Sequence, residues 1–323
     1  MPENLYTYAV ARIRSKELSL LNSQFLEQLL AAKSYDEAIQ LLTDKGWGNL
    51  EGSTSGEAIL AAEREKTWKL IEELVDDMSA FDVFLYATDY HNLKAAIKIV
   101  CTDAKIEQVF LQDGTIDPEL ILKAIREREF TLLPEHMRAA AEEAFDTLLH
   151  TRDGQLCDII IDKAALDAIY AAGQASDSQL IKDYAELTVA TADIKTAVRC
   201  QKTNKALDFI KRALAECATL NVESLAVAAA SGFDAICEYL VSTPYEGAVQ
   251  ALRESASAFE RWCDNLIMAK IREQIYNPFT IGPLAAYILA RENEIKTVRI
   301  ILSGKLNNLS PESIRERLRD MYV

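Results

Sequence analysis

The sequence predicts an all-α protein, and three observations carry that prediction. Glycine and proline are scarce, 11 and 7 among 323 residues. Both residues punctuate chains, so their rarity favours long uninterrupted helices. Apolar residues recur at helical spacing, as Trp68, Ile71 and Val75 do within the stretch from Glu57 to Asp77, which has neither Gly nor Pro. No stretch shows sustained period-two alternation bounded by hairpin turns.

Helix boundaries follow from local chemistry. Asp117-Pro118-Glu119, Thr243-Pro244 and Ser310-Pro311-Glu312 each place a capping side chain before a proline at the first helical position. Gly173, Gly232 and Gly304 stand where helices are expected to stop. The densest glycine region, Gly46 to Gly56, reads as a linker. A phosphate loop needs a preceding strand and a Lys before its Ser or Thr, whereas here Gly52 runs directly into Ser53.

Composition narrows the function. The length is about twice the ~150-residue domain prior, so several units are expected, with cores large enough to need no disulfide or metal staple. A net charge of −15 argues against nucleic acid and against attachment to anionic lipid, since both require clustered Lys and Arg. No N-terminal stretch reads as a signal peptide. No window approaches the ~18–20 apolar residues that span a bilayer, because the run Ala285 to Ala290 ends at Arg291-Glu292. The expectation is a soluble protein without membrane insertion. The six cysteines form no CxxC pair and are expected to be small buried hydrophobes in a reducing cytosol.

An internal repeat organises the chain. Asn92-Leu93-Lys94-Ala95-Ala96-Ile97-Lys98, Asp193-Ile194-Lys195-Thr196-Ala197-Val198-Arg199 and Glu294-Ile295-Lys296-Thr297-Val298-Arg299 look alike, and their lysines are spaced by 101 residues both times. Paired acids one helical turn apart precede the later copies: Asp158 and Asp162, then Glu260 and Asp264. Downstream, the copies reach helix starts at Asp117, Asn221 and Ser310. The period is too long for a solenoid and suits one small domain per copy. The expected division is 1–110 with extra leading helices, 111–215 and 216–323. Three such helical bundles are expected around a pseudo-threefold axis with a central cavity.

Within the motif, Leu93, Ala96, Ile97 and Val100 form a packed stripe. Lys94 and Lys98 lie one turn apart on another face, as do Lys195 and Arg199, while the third copy departs in having Arg299 three residues after Lys296. Two readings stay open. These cations are solvated or paired with local acids, as such faces usually are, or they form a repeated cationic ring that meets an acidic partner helix. Like charges ~10 Å apart in water repel by only about 0.4 kcal/mol, so such a ring is tolerable.

Enzymatic chemistry finds little support. His91, His136 and His150 are the only histidines, and none has a second His four residues on to make a zinc helix. His91 stands near Asp89 without an accompanying nucleophile or oxyanion donor set. The acid pairs lack the histidines of a di-metal bundle. No catalytic residue, cofactor or metal is expected.

At Tyr86-Ala87-Thr88-Asp89-Tyr90-His91-Asn92-Leu93-Lys94 the chain resembles the C-subunit family of bacterial and archaeal V/A-type ATPases (V-type ATP synthases), relatives of the d-type subunit of eukaryotic V-ATPases. The likeness extends to Tyr6-Thr7-Tyr8-Ala9-Val10-Ala11-Arg12-Ile13-Arg14 and to Pro283-Leu284-Ala285-Ala286-Tyr287-Ile288. It implies a funnel-shaped, non-catalytic rotor protein present once per complex, peripheral on the cytoplasmic side. Members of that family couple the central shaft to the proteolipid ring of the membrane. The alternative is a generic helical scaffold for partner helices or peptides.

Overall fold

The computed structural model describes residues 6–48, 55–102 and 109–323, and among them every regular element is helical. The all-α expectation holds. The chain folds into two compact units, one comprising Met1–Met78, Ser178–Leu180 and Gln250–Val323, the other Ser79–Asp177 and Ile181–Val249.

In chain order the helices are α1 (Thr7–Glu17), α2 (Ser23–Ala31), α3 (Tyr35–Asp44), α4 (Gly56–Glu72), α5 (Tyr86–Thr102), α6 (Pro118–Glu127), α7 (Glu135–Thr151) and α8 (Gly154–Ala175). They continue with α9 (Gln179–Lys202), α10 (Leu207–Ala213), α11 (Val222–Ser231), α12 (Phe233–Val241), α13 (Ala248–Glu254), α14 (Ala256–Arg272), α15 (Gly282–Leu306) and α16 (Pro311–Arg315).

The unit formed by the chain ends is built around α15. Ile295, Val298 and Leu302 of α15 share a core with Leu26 and Leu30 of α2, Leu42 of α3, Ile59 and Leu60 of α4, and Ile314 of α16. The 25-residue α15 has no clear polar face because its first three turns, from Gly282 to Arg291, are buried throughout. In the other unit, Leu93, Ala96 and Ile97 of α5 exclude solvent and Val100 is partly buried, as their spacing predicts. They pack with Ile121 and Ile125 of α6, Met137 and Phe145 of α7, and Cys157 and Ile161 of α8.

The three helix starts downstream of the repeat are real. Asp117 accepts from the Glu119 N–H (2.9 Å), Asn221 from the Ser224 N–H (2.8 Å) and Ser310 from the Ser313 N–H (3.2 Å), which satisfies first-turn donors that would otherwise be orphaned. Thr243-Pro244 differs. The Thr243 hydroxyl accepts from the Tyr245 N–H (3.1 Å) within a turn, and the helix begins only at Ala248. The capping chemistry is local and forms without a following helix.

Gly232 ends α11 with φ +144°, as expected. Gly173 and Gly304 do not end helices. Gly173 lies inside α8, where an added Cβ would stand 2.1 Å from Ala185 Cβ on α9. Gly304 lies in the last turn of α15, where a Cβ would meet Ile314 at 2.5 Å. Both glycines serve close helix packing, which single-chain punctuation rules do not anticipate. At the glycine-rich stretch, Gly46 and Gly48 take φ +91° and +88° on either side of buried Trp47, and residues 49–54 lie outside the described residues.

All six cysteines are free thiols. Cys101, Cys157, Cys200 and Cys237 are buried, but Cys217 and Cys263 are partly exposed, which corrects the expectation that all are interior.

Candidate partner interface

The repeated cations are presented by α5, α9 and α15, and the structure ties most of them to carboxylates. On α5, Lys94 pairs with Asp162 and Lys98 lies 2.6 Å from Asp158. The two lysines and the two aspartates are each one helical turn apart. Because α5 and α8 run antiparallel in these pairs, the four side chains form a two-rung charge ladder. The carboxylates that precede the second motif in sequence therefore serve the lysines of the first. These groups are a quarter to a half exposed, where an ion pair contributes up to about 1 kcal/mol.

On α15, Lys296 reaches Asp264 of α14 at 2.6 Å, and the same carboxylate accepts from Arg319 at 2.7 Å. Arg299 lies 3.1 Å from Glu57 of α4. Lys195 and Arg199 project from α9 and are exposed. A cavity of about 390 Å³ brings part of the set together. Lys94, Lys195 and Arg199 line it with Asp162, over apolar ground from Leu166 and Ile169. On a chain of net charge −15 this is a local reversal of sign, with three cations against one carboxylate.

Beneath these cations is a second set of residues that the sequence patterns did not single out. Two positions before each aligned lysine stand Asn92, Asp193 and Glu294, exposed by 0%, 0% and 1%. Each holds a backbone N–H of another segment. Asn92 accepts from the Leu111 N–H (2.9 Å) and donates to the Leu111 carbonyl (2.8 Å). Asp193 accepts from the Ala215 N–H at 3.0 Å. Glu294 accepts from the Leu21 N–H, near the start of the chain. A buried polar side chain persists only where it is bonded, and these three are bonded to loops that lack helical partners of their own. Their signal was present in the sequence as a polar residue at one fixed place in a helical segment. Its meaning depended on burial.

Arg291 completes the third copy. Its guanidinium pairs with Glu63 and Glu294, donates to the Thr67 hydroxyl (3.3 Å) and lies over the Trp47 ring at 5.1 Å. Burial pushes the Glu294 carboxyl up, and the Arg291 charge opposes that shift.

The histidines occupy structural positions. His91 Nε2 is 3.2 Å from the Val109 carbonyl, while Asp89 is taken up by Thr115 (2.9 Å from its N–H, 2.6 Å from its hydroxyl), so the two do not pair. The Tyr90 hydroxyl donates to the His136 carbonyl (2.9 Å), and the His136 ring lies 4.7 Å from that of Tyr86. His150 falls in the last turn of α7, where a cation favours the helix dipole. Among the described residues, no group of three or more His, Cys, Asp or Glu is placed to hold a metal ion. Among them too, no helix is long and apolar enough to cross a membrane.

A profile of the ATP synthase (C/AC39) subunit family matches residues 9–317, nearly the whole chain. The chain belongs to that family. It is similar to the C subunit of the V-type sodium ATPase of Enterococcus hirae, at 22% identity over 96% of this chain and 97% of that one. The C subunit of the V-type ATP synthase of Thermus thermophilus is 24% identical over 97% of this chain and 98% of its own. The C subunit of the A-type ATP synthase of Methanocaldococcus jannaschii is 24% identical, covering 97% and 86%. A member of the C/AC39 family is a structural subunit of a rotary ATPase and not an enzyme.

Proposed function

We propose that this chain is a central-stalk rotor subunit of a V/A-type rotary ATPase. In this reading it couples the central shaft to the proteolipid ring of the membrane, so that rotation links ATP hydrolysis or synthesis to ion translocation. The observation that carries the reading is the family match, which spans residues 9 to 317. The physical demands agree. A torque coupler needs stiffness, which helices packed at native core density supply. It also needs attachment through protein contacts, since an acidic chain is repelled by anionic lipid. The assignment includes a peripheral position on the cytoplasmic face, one copy per complex, and three repeat-derived units at 1–110, 111–215 and 216–323.

The interface we propose comprises Lys94, Lys98, Lys195, Arg199, Lys296 and Arg299. An ammonium has three donors, so a lysine held by one carboxylate still offers others to an acidic partner. The local ion pairs then act as positioning devices that keep each cation oriented before the partner arrives.

Co-purification tests the reading. The purified chain should capture both the isolated shaft subunits and the detergent-solubilised proteolipid ring. Capture of neither would sink the rotor assignment and leave a generic helical scaffold. The triple variant Lys94→Glu, Lys195→Glu and Lys296→Glu should remain helical by circular dichroism while losing affinity for a partner. Unchanged affinity for both partners would reduce these lysines to ordinary surface charge.

A further inference from the structure

The three buried clasps solve one electrostatic problem in different ways, and the second solution is incomplete. Asn92 is neutral and engages both the N–H and the carbonyl of Leu111. Glu294 is acidic but has Arg291 three residues earlier on the same helix, paired to its second oxygen. At the position equivalent to Arg291 the second copy carries Ala190, itself buried. Asp193 therefore has no cation of its own helix beside it. One oxygen accepts from the Ala215 N–H, and the other, Oδ2, is buried with no hydrogen-bond partner among the described residues. An ionised carboxylate in that setting leaves a charged oxygen without donors, which is costly in a region closed to water.

We propose that Asp193 works as a protonatable clasp, holding residues 214–220 against α9 as a neutral carboxylic acid and loosening them on ionisation. A protonated carboxyl has one donor and one acceptor, the same pair that the Asn92 amide presents to Leu111. It satisfies the Ala215 N–H while presenting a proton in place of the bare Oδ2. The charged groups that face it are few. Lys163 and Asp167 of α8, themselves paired at 2.7 Å, act in opposite senses, Lys163 favouring the ionised form and Asp167 opposing it. Glu216, in the clasped segment, also opposes ionisation. Burial dominates all three and pushes the Asp193 carboxyl up to about 7, within reach of physiological pH.

The clasped segment has a second anchor at its far end. Glu186, seven residues before Asp193 and so on the same face of α9, accepts from the Thr219 N–H (2.8 Å) and hydroxyl (2.6 Å), and that hydroxyl also meets Tyr245 at 2.7 Å. Ionisation of Asp193 thus frees the end at residues 214–216 while the Thr219 end stays pinned. The segment leads into the Asn221 cap of α11, so the device governs how firmly α10 and α11 are joined.

Hydrogen exchange on the full-length chain, read by mass spectrometry and corrected for the intrinsic pH dependence of exchange, tests this. Protection of the 214–217 amides should fall about tenfold between pH 6 and pH 8, because the folded-state carboxyl titrates in that window whereas the unfolded one has already done so. Asp193→Asn should hold the pH 6 protection at both values. The Leu111 amide, clasped by Asn92, should respond to neither change and serves as the internal reference. Equal protection at the two pH values in the parent chain would overturn the proposal. So would an Asn variant that exchanges fast at both, which would show the carboxylate to be the holding form.

Discussion

Asn92 and Asp193, 101 residues apart, make the same contact, each reaching from the buried face of its helix to fix the backbone N–H of a following segment, Leu111 and Ala215 respectively. Glu294 repeats the contact with Leu21, so the third copy clasps a segment from the opposite end of the chain. The repeat is thus a repeat of backbone capture as much as of surface charge.

If the amide of Asn92 is what makes the first clasp insensitive to pH, Asn92→Asp should import sensitivity. A buried carboxyl there has its folded-state value raised above the unfolded one. Its stability contribution is then complete below the ordinary carboxylate range and lost as pH rises through the folded value. Denaturation should show the stability of the variant, relative to the parent, falling by about 1–3 kcal/mol between pH 5 and pH 8. A uniform loss at both would mean that shape, not charge, decides the site.

Arg291 sits between two buried carboxylates, Glu63 and Glu294. Arg291→Met keeps the bulk but strands both acids, and the expected cost is about 3–5 kcal/mol by chemical denaturation. The deficit should be smaller at pH 5 than at pH 8, because burial already pushes the Glu294 carboxyl up and without the guanidinium it takes up a proton more readily.

Gly173→Ala offers a test of packing against propensity. In an exposed helix the change gains about 1 kcal/mol. Here the new methyl meets Ala185 Cβ at 2.1 Å, and overpacking should give a net loss of about 1–3 kcal/mol. Adding Ala185→Gly should restore most of the melting temperature. Failure to rescue would place the strain elsewhere on α8.

The charge ladder between α5 and α8 should matter little to folding. Lys98→Ala and Asp158→Ala are each expected to change stability modestly, with a coupling of at most about 1 kcal/mol in a double-mutant cycle, since both side chains are over a third exposed. A larger coupling would show that the ladder locks the two helices together.

Much of this protein was written in its linear sequence. Helical class followed from the apolar period and the rarity of Gly and Pro, and the caps at Asp117, Asn221 and Ser310 followed from side-chain chemistry that acts within four residues. The repeat showed itself through like segments at equal spacing, and the family through residues spread along the chain. Tertiary structure decided the rest. Gly173 and Gly304 read as helix ends until their neighbours Ala185 and Ile314 revealed them as packing contacts. Arg291 read as the polar end of an apolar run, yet it lies at the centre of a buried network. The pairing of Lys94 with Asp162, and not merely with solvent, required α5 and α8 to be placed side by side. The repeated cations stand on their helices at the spacing the sequence gives them, but the residues two places before them carry the internal work. The physical reason is the same throughout: period and capping are encoded by near neighbours, whereas burial, and with it the cost of a charge or the value of a hydrogen bond, is set by residues distant in the chain.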